Sequence, residues 1–275
     1  MESIPKIPLG NWIEFILDFL MDNLSGVFDA ISEGIESFVE FFVTIFSFIP
    51  SVILIAIIGF IAWKTTKWTI GLFSIGGMLL ILNLGFWQAT LETIALVITA
   101  VFISIVIGLP IGIIAAKKDS VANVVTPVLD FMQTMPAFVY LIPAIFFFGT
   151  GYTSGIFASI IFAMPPAIRL TNLGIRQVPT DLVEAADAFG STSYQKMFKV
   201  QLPLAMPTIM AGINQTIMLS LSMVVIASMI GAPGLGAEVY RAVGQLKIGA
   251  GFEAGLAIVV IAIILDRVSQ NIRKA

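Results

Sequence analysis

The chain has 275 residues, of which 58% are hydrophobic and 11% are charged, and its formal net charge is −3. A soluble globular domain is roughly half apolar and about a quarter charged, so this composition indicates an integral membrane protein. Cysteine and histidine do not occur in the sequence, which excludes disulfides, Cys/His metal sites and the usual thiol or imidazole catalysts.

Residues 1–45 have the pattern of an acidic amphipathic helix. Eight of the 17 acidic residues precede residue 45, where Lys6 is the only base. At a helical period most of these acids fall on one face and large apolar residues on the other. Because acids are scattered through the first 30 residues, we do not expect a cleaved signal peptide. We expect a structural brace that packs on the protein's own spans, and the alternative is a binding element for a soluble partner.

Apolar stretches long enough to cross a bilayer follow this helix. A span needs about 20 largely apolar residues. Seven stretches qualify or nearly do: 46–63, 68–87, 91–114, 131–149, 154–170, 208–230 and 252–266. The sequence therefore predicts an all-α, polytopic membrane protein with about seven transmembrane helices, in which two leading spans (46–87) precede a core (88–268).

Basic residues are distributed unequally between the two sides of these spans. Eleven would lie on one side: Lys64, Lys67, Lys117, Lys118, Arg169, Arg176, Lys196, Lys199, Arg267, Arg273 and Lys274. Only Lys6, Arg241 and Lys247 would lie on the other. Positive charge marks the cytoplasmic side. We therefore expect a multi-pass protein of the bacterial cytoplasmic membrane with its N-terminus outside and its C-terminus inside.

The longest polar stretch, residues 171–207, carries a spaced motif. Its fixed positions are Glu184-Ala185-Ala186, Gly190, Val200 and Leu202-Pro203. We expect Glu184 to begin a helical segment that Gly190 ends, since glycine permits a turn that a Cβ would hinder. We expect Pro203 to stop a second helical piece before the sixth span, and Lys196 and Lys199 to be solvated or lipid-facing.

This spacing resembles the cytoplasmic "EAA" loop of importer permeases of the ABC superfamily, with Val200 in place of an isoleucine as the one departure. The resemblance implies a type I importer fold. It also implies that residues 184–190 form a coupling helix in a cleft of a separate ATP-binding subunit, where Glu184 caps or pairs with a basic residue. ATP and Mg would then be held by two copies of that partner and no cofactor by this chain, which has no phosphate-cradling loop of the ATPase kind.

The resemblance extends along nearly the whole chain and is greatest to permeases for glycine betaine and proline betaine. It rests on residues 130–140, 162–166 and 231–236. It implies glycine betaine or a related osmoprotectant as cargo, with choline, carnitine or proline as alternatives. It further implies a homodimer, an extracytoplasmic substrate-binding protein and no nucleic acid among the partners.

Polar residues within the spans are candidates for the translocation path of such a zwitterion. We name Gln133 and Thr134 in the fourth span and Asn214 and Gln215 in the sixth. An amide in hydrocarbon is costly unless paired, so hydrogen bonding between helices is the competing explanation for them. Outside, residues 231–251 with Glu238 and Arg241 are expected to dock the binding protein, the alternative being a solvated loop.

Other function classes fit less well. A secondary transporter usually shows internal repeats and buried ion-coupling groups, and neither is clear in the sequence. A channel would not need the motif between Glu184 and Pro203. An intramembrane enzyme would need catalytic groups, and we find no catalytic or metal-binding candidates.

Overall fold

The structure is a computed structural model that describes residues 8–271, so Lys6, Arg273 and Lys274 lie outside the described residues. Every regular element in that range is helical. The α-helices are α1 (Leu9–Phe48), α2 (Ser51–Thr65), α3 (Trp68–Asn83), α4 (Trp87–Lys117), α5 (Asp119–Thr134), α6 (Leu141–Phe148), α7 (Tyr152–Arg176), α8 (Thr180–Ala188), α9 (Ser193–Lys196), α10 (Leu202–Ala227), α11 (Leu235–Gly244) and α12 (Ile248–Asn271). Short 3-10 segments (Ala137–Tyr140 and Ser228–Ile230) and a π-helical turn (Met197–Gln201) join some of them.

The amphipathic helix continues to Phe48 and thus takes up the start of the first predicted span. Pro50 disfavours helical backbone at the residue before it, and Ile49 accordingly has an extended ψ of 126°. The chain bends by 106° there and continues as α2. The predicted span at 46–63 is therefore not one helix, because the bend at Ile49 and Pro50 divides it between the end of α1 and the start of α2.

The far half of α1 packs against the bundle. Phe38 stacks on Phe102 of α4 with ring centroids 5.3 Å apart, and Phe28 stacks on Phe147 of α6 at 4.4 Å. The Thr153 hydroxyl at the start of α7 donates to Glu36 Oε1 at 2.9 Å. These contacts hold the second half of α1 against three helices of the bundle.

Helices α2 and α3 form a short antiparallel hairpin at the side of the bundle. Glycines allow the close approach, since a Cβ on Gly71 would lie 2.8 Å from Trp63 Cβ and 3.0 Å from the Gly59 carbonyl oxygen. With 15 and 16 residues, these two helices are shorter than a typical span.

Helices α4, α7 and α10 form the centre of the molecule, where small residues let the backbones meet. A Cβ on Gly112 of α4 would lie 2.8 Å from the Ile168 carbonyl oxygen, and one on Gly212 of α10 would lie 2.9 Å from that of Pro166. Close packing through small residues is the usual means of helix association in a membrane, where apolar burial supplies no driving force.

The predicted fourth span, 131–149, is not one helix. Pro136 has no N–H, and the chain bends by 108° between α5 and the segment Ala137–Phe148. Within residues 8–271, four helices or continuous helical runs are long and apolar enough to span a membrane, and up to six if each bent pair is counted as one span. The all-helical polytopic fold is confirmed, whereas the predicted number of seven spans is not.

Candidate functional site

The motif-bearing loop folds into two short helices that project from one end of the bundle. Helix α8 begins at Thr180, four residues earlier than expected, so Glu184 is its central residue and Ala185 follows in the second half. The Gly190 N–H donates to the Asp187 carbonyl at 2.9 Å and the Ser191 N–H to that of Ala186 at 3.0 Å. Gly190 has a φ of +74°, in the left-handed region that favours glycine. The expected role of Gly190 in ending the helix therefore agrees with the geometry.

Helix α9 starts from a reciprocal cap and is tied back to α8. The Gln195 N–H donates to Thr192 Oγ1 and the Thr192 N–H to Gln195 Oε1. Lys196 Nζ lies 2.7 Å from both carboxylate oxygens of Asp187. The expectation of a merely solvated or lipid-facing Lys196 was wrong, because the turn at Gly190 brings it onto α8.

Pro203 does not stop the second helical piece. Its missing N–H falls just after the π-helical turn, where the hydrogen-bond ladder is already shifted, and the helix runs on into α10. Ser193–Ile230 is therefore one helical run of 38 residues. The predicted break was wrong, because the π-helical turn that precedes Pro203 accommodates a residue without an N–H.

The two short helices are anchored on one face and free on the other. Met197 and Ala186 are buried, and Met197 joins an apolar cluster with Ile175, Ala205 and Ile209. On the free side the ring of Phe189 is 91% exposed. Glu184, Ala185, Gly190 and Pro203 are exposed too, whereas Val200 and Leu202 are half-buried. The loop thus presents an apolar and acidic surface held in a fixed position.

Ion pairs connect this end of the bundle to the neighbouring helices. The Arg176 guanidinium at the end of α7 donates to the Ala115 carbonyl at 2.9 Å and pairs with Asp119 at 2.7 Å. Two turns before the end of α7, Arg169 pairs with Asp130 of α5 at 2.7 Å. Neither pair was predicted from the sequence, although isolated charges beside apolar stretches were the signal for them.

Two of the four path candidates lie at the break between α5 and α6. Gln133 and Thr134 are both exposed in the last turn of α5. The Tyr140 hydroxyl donates to the Met132 carbonyl, which Pro136 leaves without its helical donor. The break therefore brings polar side chains and helix-end carbonyls to the surface of the chain.

The other two candidates, on α10, have different surroundings. Asn214 donates to Asp266 Oδ1 at 3.3 Å and accepts a bond from Ser269, both on α12. Gln270 also donates to Asp266, at 2.6 Å. Asn214 thus acts as an interhelical hydrogen-bonding group here, whereas its neighbour Gln215 is exposed.

The opposite end of the bundle carries α11. Its first residue, Leu235, donates its N–H to Thr93 Oγ1 near the start of α4, at 2.8 Å. Arg241 Nη1 bonds both oxygens of Glu238, at 3.0 and 2.9 Å, so the two docking candidates pair with each other. Across residues 8–271 no group of three acidic side chains is arranged to hold a metal ion.

The chain matches a family and several characterised proteins. Residues 108–275 match the family described as binding-protein-dependent transport system inner membrane component. The chain is 58% identical, over 99% of its length and 97% of the relative's, to the glycine betaine transport system permease protein OpuAB of Bacillus subtilis (strain 168). It is 54% identical, over 100% and 98%, to the glycine betaine/carnitine transport permease protein GbuB of Listeria monocytogenes serotype 1/2a (strain 10403S).

Solved structures show the same fold. A chain of the MetNI methionine ABC transporter in an inward-facing conformation superposes with a TM-score of 0.62 at 23% identity, covering 69% of this chain and 94% of that one. The family match and the two permease relatives confirm the predicted resemblance and the prediction that this chain is not the ATP-hydrolysing subunit. The chain belongs to the family of binding-protein-dependent transport system inner membrane components, the transmembrane subunits of ABC importers.

Proposed function

We propose that two copies of this chain form the path by which glycine betaine crosses the cytoplasmic membrane. An external binding protein would deliver the betaine, and two ATPase subunits would drive transport. The observation that carries the proposal is the loop at α8 and α9, which exposes Glu184 and Phe189 while Ala186 of α8 and Met197 after α9 are buried. Two relatives at 58% and 54% identity bear glycine betaine in their names, which supports glycine betaine as the cargo of this chain.

The coupling surface can be tested by its largest exposed side chain. Burial of a phenylalanine stabilises a complex by about 1.5–3 kcal/mol, so Phe189→Asp should weaken binding of the ATPase subunit by about tenfold or more. Leu246 is comparably exposed (87%, against 91% for Phe189) but lies beyond α11, at the other end of the bundle. Leu246→Asp is therefore the matched control and should leave ATPase binding unchanged. Equal loss in both variants would count against α8 as the coupling helix.

The cargo is tested by ATP-dependent uptake of radiolabelled glycine betaine in proteoliposomes that hold the chain, its ATPase and its binding protein. Competition by excess carnitine, choline and proline ranks the alternatives, of which carnitine has the support of the GbuB relative. Uptake that needs neither ATP nor the partners would contradict the importer mechanism and favour a secondary transporter.

Exposed polar groups support the homodimer. Gln133 and Gln215 lie on the outside of a single copy, where hydrocarbon would leave their amides without partners, whereas the Thr134 hydroxyl donates to the Phe131 carbonyl at 2.9 Å. A second copy facing them would enclose a polar path. Since the chain has no cysteine, single Gln133→Cys and Gln215→Cys variants allow clean cross-linking between copies. Failure of both to cross-link in the assembled transporter would contradict this arrangement.

Orientation and docking complete the proposal. The side of the bundle that carries α8 and α9 also holds the C-terminal ends of α2, α4, α7 and α12. Each of these ends has a basic residue: Lys64, Lys117, Arg176 and Arg267. The positive-inside rule makes that side cytoplasmic and leaves α11 outside. Exchanging the paired charges (Glu238→Arg with Arg241→Glu) keeps their ion pair and inverts its direction. The exchange should weaken docking of the binding protein, and an unchanged affinity would remove α11 from the docking surface.

A further inference from the structure

A cavity of about 290 Å³ lies between α2, α4 and α12, beside the end of α1. Its walls are made by Phe46, Leu54, Ile57, Ile58, Ile61, Met78, Leu91, Ile94, Ile98, Ile261, Ile264, Leu265 and Val268. Ile57 and Ile61 are 41% and 45% exposed, so the cavity reaches the outer surface of the bundle. It is separate from the coupling loop, from the break at Pro136 and from α11.

The walls of this cavity are side chains of hydrocarbon and one thioether. A water molecule needs two to four polar partners to stay in a cavity, and these side chains offer none. The volume is roughly twice that of a 150 Å³ apolar cavity that holds one benzene molecule. The cavity therefore accommodates an apolar group of about a dozen carbon atoms.

The cavity runs along the helices for about two helical turns. Helix α12 follows α11, which bonds to the start of α4, so α12 runs parallel to α4 and to α2. The α2 lining runs from Leu54 to Ile61, a rise of about 10 Å at 1.5 Å per residue, and Lys64 lies about 5 Å further along. The distance from Lys64 to Leu54 is therefore about 15 Å, half of the hydrocarbon thickness of about 30 Å. A phospholipid with its phosphate at the level of Lys64 would reach the far end of the cavity with an acyl chain of the same leaflet.

Basic residues stand at the end of the cavity that faces the coupling loop. Lys64 follows the lining residue Ile61 by three positions and so shares its face of α2, and Lys67 lies in the turn that follows. Arg267 precedes the lining residue Val268 on α12. Its neighbour Asp266, 3.8 Å away, already accepts bonds from Asn214 and Gln270. The charge at this end suits a phosphate group.

We propose that the cavity is a binding site for one acyl chain of a membrane phospholipid from the leaflet on the side of the coupling loop. The phosphate lies among Lys64, Lys67 and Arg267, and the chain fills the space between α2, α4 and α12. The lipid thereby joins the α2–α3 hairpin, which has short helices of its own, to the core of the transporter. The site is independent of the cargo and of the direction of transport.

The test uses the assembled transporter in nanodiscs with a phospholipid that carries a photoreactive diazirine on its acyl chain. After illumination, the labelled peptides are mapped by mass spectrometry. We expect label on the lining residues of α2 and α12. The double variant Ile57→Trp/Ile61→Trp fills the cavity and should reduce that label at least fivefold. Val52→Trp, at an exposed position of α2 outside the cavity, is the matched control and should leave it unchanged.

Two results would overturn the proposal. Label spread evenly over the lipid-facing helices, or equal in the filled variant and its control, would show bulk lipid without a site. Cross-linking of an Ile57→Cys variant to its own copy would show that the second chain covers the cavity instead. A thermal melt of each variant identifies a loss of fold, in which case the single variant Ile61→Phe is read in the same assay. Because no step measures transport, failure here leaves the proposed function untouched.

Discussion

The turn at Gly190 allows a prediction that separates backbone conformation from side-chain size. Its φ of +74° is disfavoured for a residue with a Cβ by about 1–2 kcal/mol, whereas asparagine tolerates this region better. An added Cβ would meet no atom of this chain within 4 Å. Any penalty within the chain is therefore conformational and not steric.

The perturbation is the series Gly190→Asn, Gly190→Ala and Gly190→Val. A cost of 1–2 kcal/mol corresponds to roughly a fivefold to thirtyfold shift in the population of the native turn. We expect ATP-dependent betaine uptake to decrease in the order Gly, Asn, Ala, Val, because a β-branched residue is the least compatible with positive φ. The assay is uptake in proteoliposomes, with the affinity for the ATPase subunit measured in parallel.

Gly85 supplies the control for this series. It has a φ of +82° and an equally open surrounding, and its N–H donates to the Leu82 carbonyl as that of Gly190 does to the Asp187 carbonyl. It lies between α3 and α4, at the opposite end of the bundle. Gly85→Ala should cost similar stability and leave ATPase affinity unchanged. Equal impairment of uptake by asparagine and valine would show that side-chain size and not backbone conformation decides, and wild-type uptake in all three variants would show that the turn is not needed.

Three further predictions concern the bundle and the loop. Gly212→Leu would force a side chain against a carbonyl of α7 and should destabilise the chain by about 1–3 kcal/mol in a thermal melt, whereas Gly76→Leu, where a Cβ meets nothing within 4 Å, should not. Asn214→Leu deprives Asp266 of a hydrogen-bond donor, so it should lower the melting temperature while uptake by the folded fraction keeps its selectivity. Altered substrate selectivity at unchanged stability would instead mark Asn214 as part of the translocation path. Thr192→Ala removes a cap worth about 1 kcal/mol and should increase hydrogen exchange in α9 alone, so that protection as in the wild type would contradict the cap.

The parts of the fold that follow from local chemistry could be predicted from the sequence. Hydropathy indicates α4, α7, α10 and α12, since each is a long apolar run. The turn at Gly190 follows from the absence of a Cβ. The family of the chain follows from several fixed residues at fixed spacing between Glu184 and Pro203.

Features that depend on competition between signals were not predictable. The apolar sequence continues across Pro50 and Pro136, so composition favours a single span at each place. The missing proline N–H and the restricted backbone of the preceding residue favour a break instead. The break forms at both prolines. At Pro203 the same residue is accommodated, because a π-helical turn precedes it. Periodicity carries no information on which proline a neighbouring helix will compensate.

Contacts between residues that are far apart in the sequence could not be predicted either. Asp187 and Lys196 are nine residues apart on different helices, and Asn214 and Asp266 are 52 apart. Each looked like an isolated polar group in the sequence. Only the crossing of α10 with α12, and the turn between α8 and α9, bring these residues together.

The uninterrupted helical run from Ser193 to Ile230 has a mechanical consequence. At 1.5 Å per residue, its 38 residues form a rod about 57 Å long that begins in the coupling loop. Its far end is held at Ile230, whose carbonyl accepts the Gly151 N–H at 3.2 Å. If such a rod pivots by about 5° near its middle, each end moves by roughly 2.5 Å in opposite directions. A displacement of the loop end by the ATPase subunit would therefore move the end at Ile230 directly, without a chain of side-chain contacts between the two ends.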